Sequence, residues 1–180
     1  MNLIETFQNL VAQVPELVQP LIVALAGAIP FIEGEGAVSI GIIGGISPVI
    51  AGIAAIVGNF LCVLVVVLVS SGARQAVVNR SHAKAAALAG GGTVEEPATD
   101  AADTGRPTAR REKFQRAFER YGVPGVSLLG PLLLPTQFTA TMLAASGIGK
   151  ARILFWQALA IIGWTTIVAV IVGSAVYAIH

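Results

Sequence analysis

The chain has 180 residues, of which 12% are charged, with a mean hydropathy of +0.80 and a formal net charge of +1. A soluble domain carries about 25% charged residues, so half that share excludes an ordinary soluble globule and points to an integral membrane protein. The near-neutral balance gives no footing for nucleic acid. The one cysteine, Cys62 inside an apolar run, excludes an intrachain disulfide and a cysteine metal cluster.

Every Lys and Arg lies between Arg74 and Arg152, most of them in the polar middle section, and none precedes Arg74. The positive-inside rule places that middle section in the cytoplasm. No basic n-region opens the chain, so Met1 onward is expected to be mature protein.

Asn2–Val14 sets Leu3, Ile4, Phe7, Leu10, Val11 and Val14 at helical spacing among polar residues, which predicts a surface-lying amphipathic helix. Its lack of basic residues suits the outer face. Leu17–Ile29 and Ala37–Ile46 are each too short to cross a bilayer, which takes about 20 residues. Between them stands Ile29-Pro30-Phe31-Ile32-Glu33-Gly34-Glu35-Gly36. Pro30 removes a backbone donor, and Gly34 and Gly36 permit unusual backbone angles. Helix, acidic break, helix is the pattern of a re-entrant or discontinuous membrane segment lining a site. A solvated loop between ordinary helices is the plainer alternative. Ser47-Pro48 turns the chain into a first full span, Val49–Val69. With the middle section inside, a re-entrant hairpin leaves the N-terminus outside, whereas one long broken span would place it inside, against the positive-inside rule. The hairpin is preferred.

Residues 71–112 read as a flexible cytoplasmic linker, because Ala83–Arg111 shows no apolar periodicity after Leu88 and cannot offset its ordering entropy. Lys113–Tyr121 reads as a second, basic interfacial helix. The first half then recurs. Val126–Leu134 is a short apolar run interrupted by Pro131 and Pro135, Thr136–Thr141 follows, Met142–Gly147 returns, and Ile153–Ile179 crosses once, with Trp156 and Tyr177 near its ends. Pro30 and Pro135 are 105 positions apart, as are Gly58 and Gly163. A single crossing separates the halves, so the second enters from the opposite side. The expected fold is therefore an all-α integral membrane protein. It is an inverted repeat of two re-entrant, Pro-broken helical hairpins, each followed by a full transmembrane helix, with amphipathic interfacial helices. The first repeat covers residues 1–70 and the second 113–180. The linker is cytoplasmic and both termini are outside.

Glu33 and Glu35 are the acids expected at membrane depth, where desolvation and mutual repulsion favour a shared proton or a bound cation. Thr136, Gln137, Thr139 and Thr141 offer hydroxyls and an amide to a substrate, or back-bond to nearby carbonyls. Asn59 reads as interhelical glue or as a site residue, and Pro30 and Pro135 shape the two breaks. No metal-ligand cluster, phosphate-binding glycine loop or dinucleotide fingerprint is present, and His82 and His180 are misplaced for a buried nucleophile. Neither an enzyme nor a cofactor is expected. Two spans and two hairpins enclose little volume, so a homodimer packed through Gly52 and Gly58 is expected.

At the paired hairpins the chain resembles the small multidrug export protein family, within the wider DedA/VTT-type superfamily. The residues carrying the resemblance are Ile29–Gly36, Leu134-Pro135-Thr136-Gln137-Phe138-Thr139, Ala144-Ala145-Ser146-Gly147, and Phe155 with Gly163-Trp164. The resemblance implies a bacterial inner-membrane protein with two opposed re-entrant hairpins and a transport function. DedA-type relatives are associated with lipid-carrier translocation and usually carry an arginine in the second hairpin. Gln137 and Phe138 stand at those positions here, which counts against a phosphate head group there. Three functions are open: a transporter linked to protons or cations with Glu33 and Glu35 in its site, a lipid or lipid-carrier flippase, and a non-transporting membrane scaffold.

Overall fold

The computed structural model of the chain describes residues 5–7, 9, 13–88 and 121–179, and every regular element among them is helical. The predicted interfacial helix Asn2–Val14 is described only at residues 5–7, 9 and 13, all helical, and at Val14, which is not. Residues 89–112 of the linker, and all of Lys113–Tyr121 except Tyr121, lie outside the described residues.

Helix α1, Gln19–Gly27, starts with Pro20 in its first turn, where a missing N–H is harmless. It ends in a break over residues 28–32, and α2 follows as Glu33–Ile43. Gly45 closes α2 at φ +90°, while Ile46 N–H reaches back to the Gly41 carbonyl at 3.0 Å. That pattern is a left-handed helix stop that glycine accommodates. α3 runs from Pro48 to Leu88. The second half has α4 over residues 121–129, a 3-10 turn at Gly130–Leu132, α5 at Thr136–Ala145 and α6 at Lys150–Ile179. The order helix, Pro-containing break, helix, long helix thus occurs twice.

Two expectations change. The first long helix does not stop at Val69 but continues to Leu88, so residues 71–88 of the expected flexible linker are helical. Ala, Arg, Gln and Lys hold a helix as well as Leu does, without its hydropathy. The acids, moreover, are not in the break. Glu33 and Glu35 occupy the first turn of α2, where a carboxylate complements the helix dipole, and Gly34 and Gly36 are helical. The unusual backbone angles belong instead to Phe31 (φ 73°) and Glu33 (φ 53°).

α3 and α6 run antiparallel. The start of α3 at Pro48 lies against Gly173 near the end of α6, and Arg74 lies against Gly147, just before α6 begins. The apolar core divides along this pair. Val23, Ala26, Val38 and Ile40 of α1 and α2 pack on Ala51 and Ala55 of α3, with Val168 and Val172 of α6. Val126, Ala140 and Leu143 of the second half pack on Val63 and Val67 of α3, with Ile153 and Ile161 of α6. Each helix–break–helix unit therefore covers one end of the long pair, and the two breaks approach each other between the ends.

α3 and α6 are each long and apolar enough to cross a membrane, by length and composition. Only 39% and 22% of their most apolar stretches is covered inside the molecule. Val49, Ile53, Val57, Leu61, Val65 and Val69 form an exposed stripe at helical spacing along α3, and Phe155, Leu159 and Ile162 extend the apolar surface on α6. Soluble monomers rarely expose contiguous apolar patches of more than a few hundred Å².

Gly58, expected at a dimer contact, is used inside the chain. Any Cβ at 58 would run into the Ala24 backbone, so α1 and α3 approach through their main chains here, whereas a Cβ on Gly52 would meet open space. Gly163, the counterpart of Gly58 in the 105-residue register, also faces open space. The 105-residue register therefore does not carry over to this contact.

Candidate functional site

Pro30 cannot continue α1, so the chain breaks and restarts with the acids in the new first turn. This restart points Glu33 inward, and its side chain is 6% exposed. On the other half, Pro135 is the cap residue of α5 at an extended ψ of 141° and offers no side-chain cap of its own. The N-terminal N–H groups of α5 therefore need an acceptor from elsewhere. Glu33 supplies it. Its Oε1 accepts a hydrogen bond from the Thr136 backbone N–H and another from Thr136 Oγ1, the latter at 2.6 Å. A carboxylate at a helix N-terminus is held by both the N–H groups and the dipole.

Next to this contact, Gln137 Nε2 donates to Asn59 Oδ1 at 3.2 Å, and both side chains are buried. Asn59 is about 16 Å along α3 from Pro48 and about 18 Å from Ser71, at 1.5 Å per residue. The polar cluster is thus midway along the apolar part of that helix. Phe31 and Phe138, one from each half, have ring centroids 6.0 Å apart across the meeting point. Trp164 Nε1 donates to the Leu128 carbonyl at 2.9 Å, tying α6 to the end of α4.

A cavity of about 280 Å³ opens beside the two acids, lined by Phe31, Ile32, Glu33, Glu35, Gly36, Pro131, Leu132 and Trp164. Glu35 is half-buried and faces it, with no partner among the described residues of the second half. Among the described residues no cluster of three metal-ligating side chains occurs. The cavity has room for a few water molecules or a small cation's hydration shell, with one deeply buried carboxyl and one more accessible carboxyl at its wall.

Of the residues singled out from sequence, Glu33, Thr136, Gln137 and Asn59 come together in this cluster. Thr139 is buried near it, with Oγ1 turned to the Pro135 carbonyl at 3.5 Å, and Thr141 Oγ1 bonds the Gln137 carbonyl at 2.7 Å. These two follow the back-bonding alternative. Pro30 is exposed and Pro135 half-buried, so they act on the chain path and not through contact with the acids.

Sequence reasoning missed three buried polar residues. Thr165 Oγ1 has no hydrogen-bond partner and lies where a side chain on Gly34 would go. Gln157, fully buried, leaves both amide atoms unpartnered, as does Ser127 its hydroxyl. Together with the unpartnered Gln137 Oε1 they place several unmet hydrogen-bonding atoms in the interior around α6. Buried polar groups normally find partners, so sites like these call for water or a ligand. The available signal was an amide and a hydroxyl within an otherwise apolar span.

No family model, curated protein or solved structure matches the chain.

Proposed function

We propose that the chain is a multi-pass membrane transporter of the bacterial inner membrane, linked to protons or cations, in which Glu33 carries the coupling. The observation that carries this reading is the buried Glu33 carboxyl of one half seated on the N-terminus of α5 in the other, beside a cavity shared with Glu35. Holding a carboxyl at membrane depth is expensive, and residues so placed line substrate or ion paths. Thr136 Oγ1 can donate to a carboxylate or accept from a carboxylic acid. The contact can therefore persist while a proton comes and goes. Glu33 is also held at positive φ, a strain that persists where the surroundings enforce it, as at functional sites.

The two helix–break–helix units are read as opposed re-entrant hairpins of an inverted repeat. Their packing on opposite ends of the α3–α6 pair, with the breaks meeting midway, supports this. The family resemblance carried by Ile29–Gly36 and Leu134–Thr139 points the same way. The substrate is a small cationic or amphipathic molecule, matched to an acidic, partly aromatic cavity. Membrane lipids surround a homodimer, and no enzymatic step is assigned.

Purified protein in liposomes, with flux of small organic cations followed under an imposed pH gradient, tests the function. Flux that rises with the gradient is expected. Equal flux with and without the gradient would remove the coupling. A second measurement tests the topology. In a Cys62→Ala background, cysteine introduced at Asn2 or Ala178 should react with an impermeant thiol reagent in intact cells, and cysteine at Gly91 should not. The reverse labelling would overturn the inverted arrangement.

A further inference from the structure

A second cavity, of about 550 Å³, lies at the other end of the molecule from the α3 start, between α3 and the α5–α6 turn. Arg74 and Lys150 line it, together with Ser71, Gln75 and Asn79, and among the described residues no carboxylate does. Ser71 Oγ is buried there without a hydrogen-bond partner. Gln75 Nε2 donates to Asn79 Oδ1 at 3.1 Å, which leaves the Asn79 amide N–H groups for another acceptor. The Arg74 guanidinium lies over Gly147, where φ is +82° and a Cβ would come within 2.7 Å of Nη2. The glycine therefore both ends α5 and keeps the guanidinium in place. α6 begins at Lys150; the Arg152 and Ile153 N–H groups bond the Gly149 carbonyl, which leaves the Lys150 and Ala151 N–H groups as the helix's own unsatisfied donors.

Two cations, a lone hydroxyl, amide donors and the start of a helix thus face one space, with no acid among the described residues that line it. The complementary ligand is an anion with several acceptor oxygens, as a phosphate group has. The depth selects its source. Ser70-Ser71 ends the apolar run of α3, so the cavity sits where that helix leaves hydrocarbon, on the side that carries the basic residues. We infer that this cavity binds the phosphate-bearing head group of an anionic lipid from the leaflet on that side. The inference rests on the bilayer reading of α3 and α6 but not on transport or on Glu33.

The test is native mass spectrometry of protein released from nanodiscs made of phosphatidylcholine with and without phosphatidylglycerol, with inorganic phosphate as a separate arm. The wild-type chain should retain phosphatidylglycerol. Arg74→Gln and Lys150→Gln should each weaken retention about fivefold, the effect of one basic side chain at an anionic leaflet. Arg152→Gln, two residues along and outside the lining, should leave retention unchanged. Equal retention by all four proteins would overturn the site. Thermal stabilisation by inorganic phosphate, lost in the same two variants, would keep the site and assign it to a soluble anion. Carbonate extraction of cell membranes separately tests the bilayer reading. A chain released by it overturns that reading, and the phosphate arm still decides the pocket.

Discussion

Glu33→Gln is expected to abolish flux driven by a pH gradient while leaving a folded, membrane-inserted protein. The amide oxygen can still accept from the Thr136 N–H and Oγ1, so the seat at the α5 N-terminus is kept. What is lost is the exchangeable proton and the charge that complements the helix dipole, a term of about 0.3–2 kcal/mol. Losing one of two neighbouring carboxyls offsets part of that loss. Glu33→Ala differs. It strands a buried N–H and a buried hydroxyl, which costs about 1–3 kcal/mol, and its loss of flux should come with a lower Tm. Glu35→Gln should reduce flux less, because Glu35 has no partner among the described residues of the second half and is only half-buried. Thr136→Val keeps the shape and the backbone N–H but removes the hydroxyl. It should shift the pH profile of flux without eliminating it. If Glu33→Gln transports at the wild-type rate with an unchanged pH profile, the coupling role is wrong, and the scaffold or flippase reading takes its place.

The long helices were legible because hydropathy integrates over 20 residues and tolerates local error. The prolines marked the breaks for an equally direct reason, since Pro30 and Pro135 remove donors wherever they stand. Glu33 follows the apolar Pro30-Phe31-Ile32 and no glycine, whereas Glu35 follows Gly34, and Glu33 is the more deeply buried of the two. Other features depended on contacts that no local pattern encodes. Thr136 meets Glu33 across 103 positions, and it was one of four hydroxyl or amide residues with similar claims. The glycines around the acids suggested where the backbone would bend, but Phe31 and Glu33 take the positive φ values while Gly34 serves close packing against Thr165. A glycine is permitted such angles without being obliged to adopt them. The end of α3 is not legible in hydropathy, because the loss of hydropathy after Val69 is not a loss of helix. Hydropathy reports the solvent a helix sees, whereas propensity and side-chain pairs such as Gln75–Asn79 decide whether the helix continues.

Gly58→Val should be the most disruptive single substitution in the first half. The Ala24 carbonyl, carbonyl carbon and Cα all occupy the space a Cβ would take, and these are main-chain atoms of a packed helix that no rotamer change can move aside. Gly27 makes the reciprocal approach, where a Cβ would come 2.8 Å from the Ala55 carbonyl oxygen. α1 must therefore shift bodily away from α3. Overpacking of a core commonly costs about 1–3 kcal/mol, and a backbone clash belongs at or above the top of that range. The displacement also reaches the site, because Asn59 follows Gly58 directly and its amide group holds Gln137. Gly163→Val supplies the control. The same change is made at the register-equivalent position of α6, but nothing lies within 4 Å of the added Cβ. It should alter stability by no more than about 0.5 kcal/mol, the usual range for a substitution without contacts. Thermal unfolding of both variants in the same detergent decides the matter. A large drop in Tm for Gly58→Val beside a near-unchanged Gly163→Val is the expected result. Equal drops would mean that α6 packs against a further surface at Gly163, and a homodimer contact there would then become the first place to look.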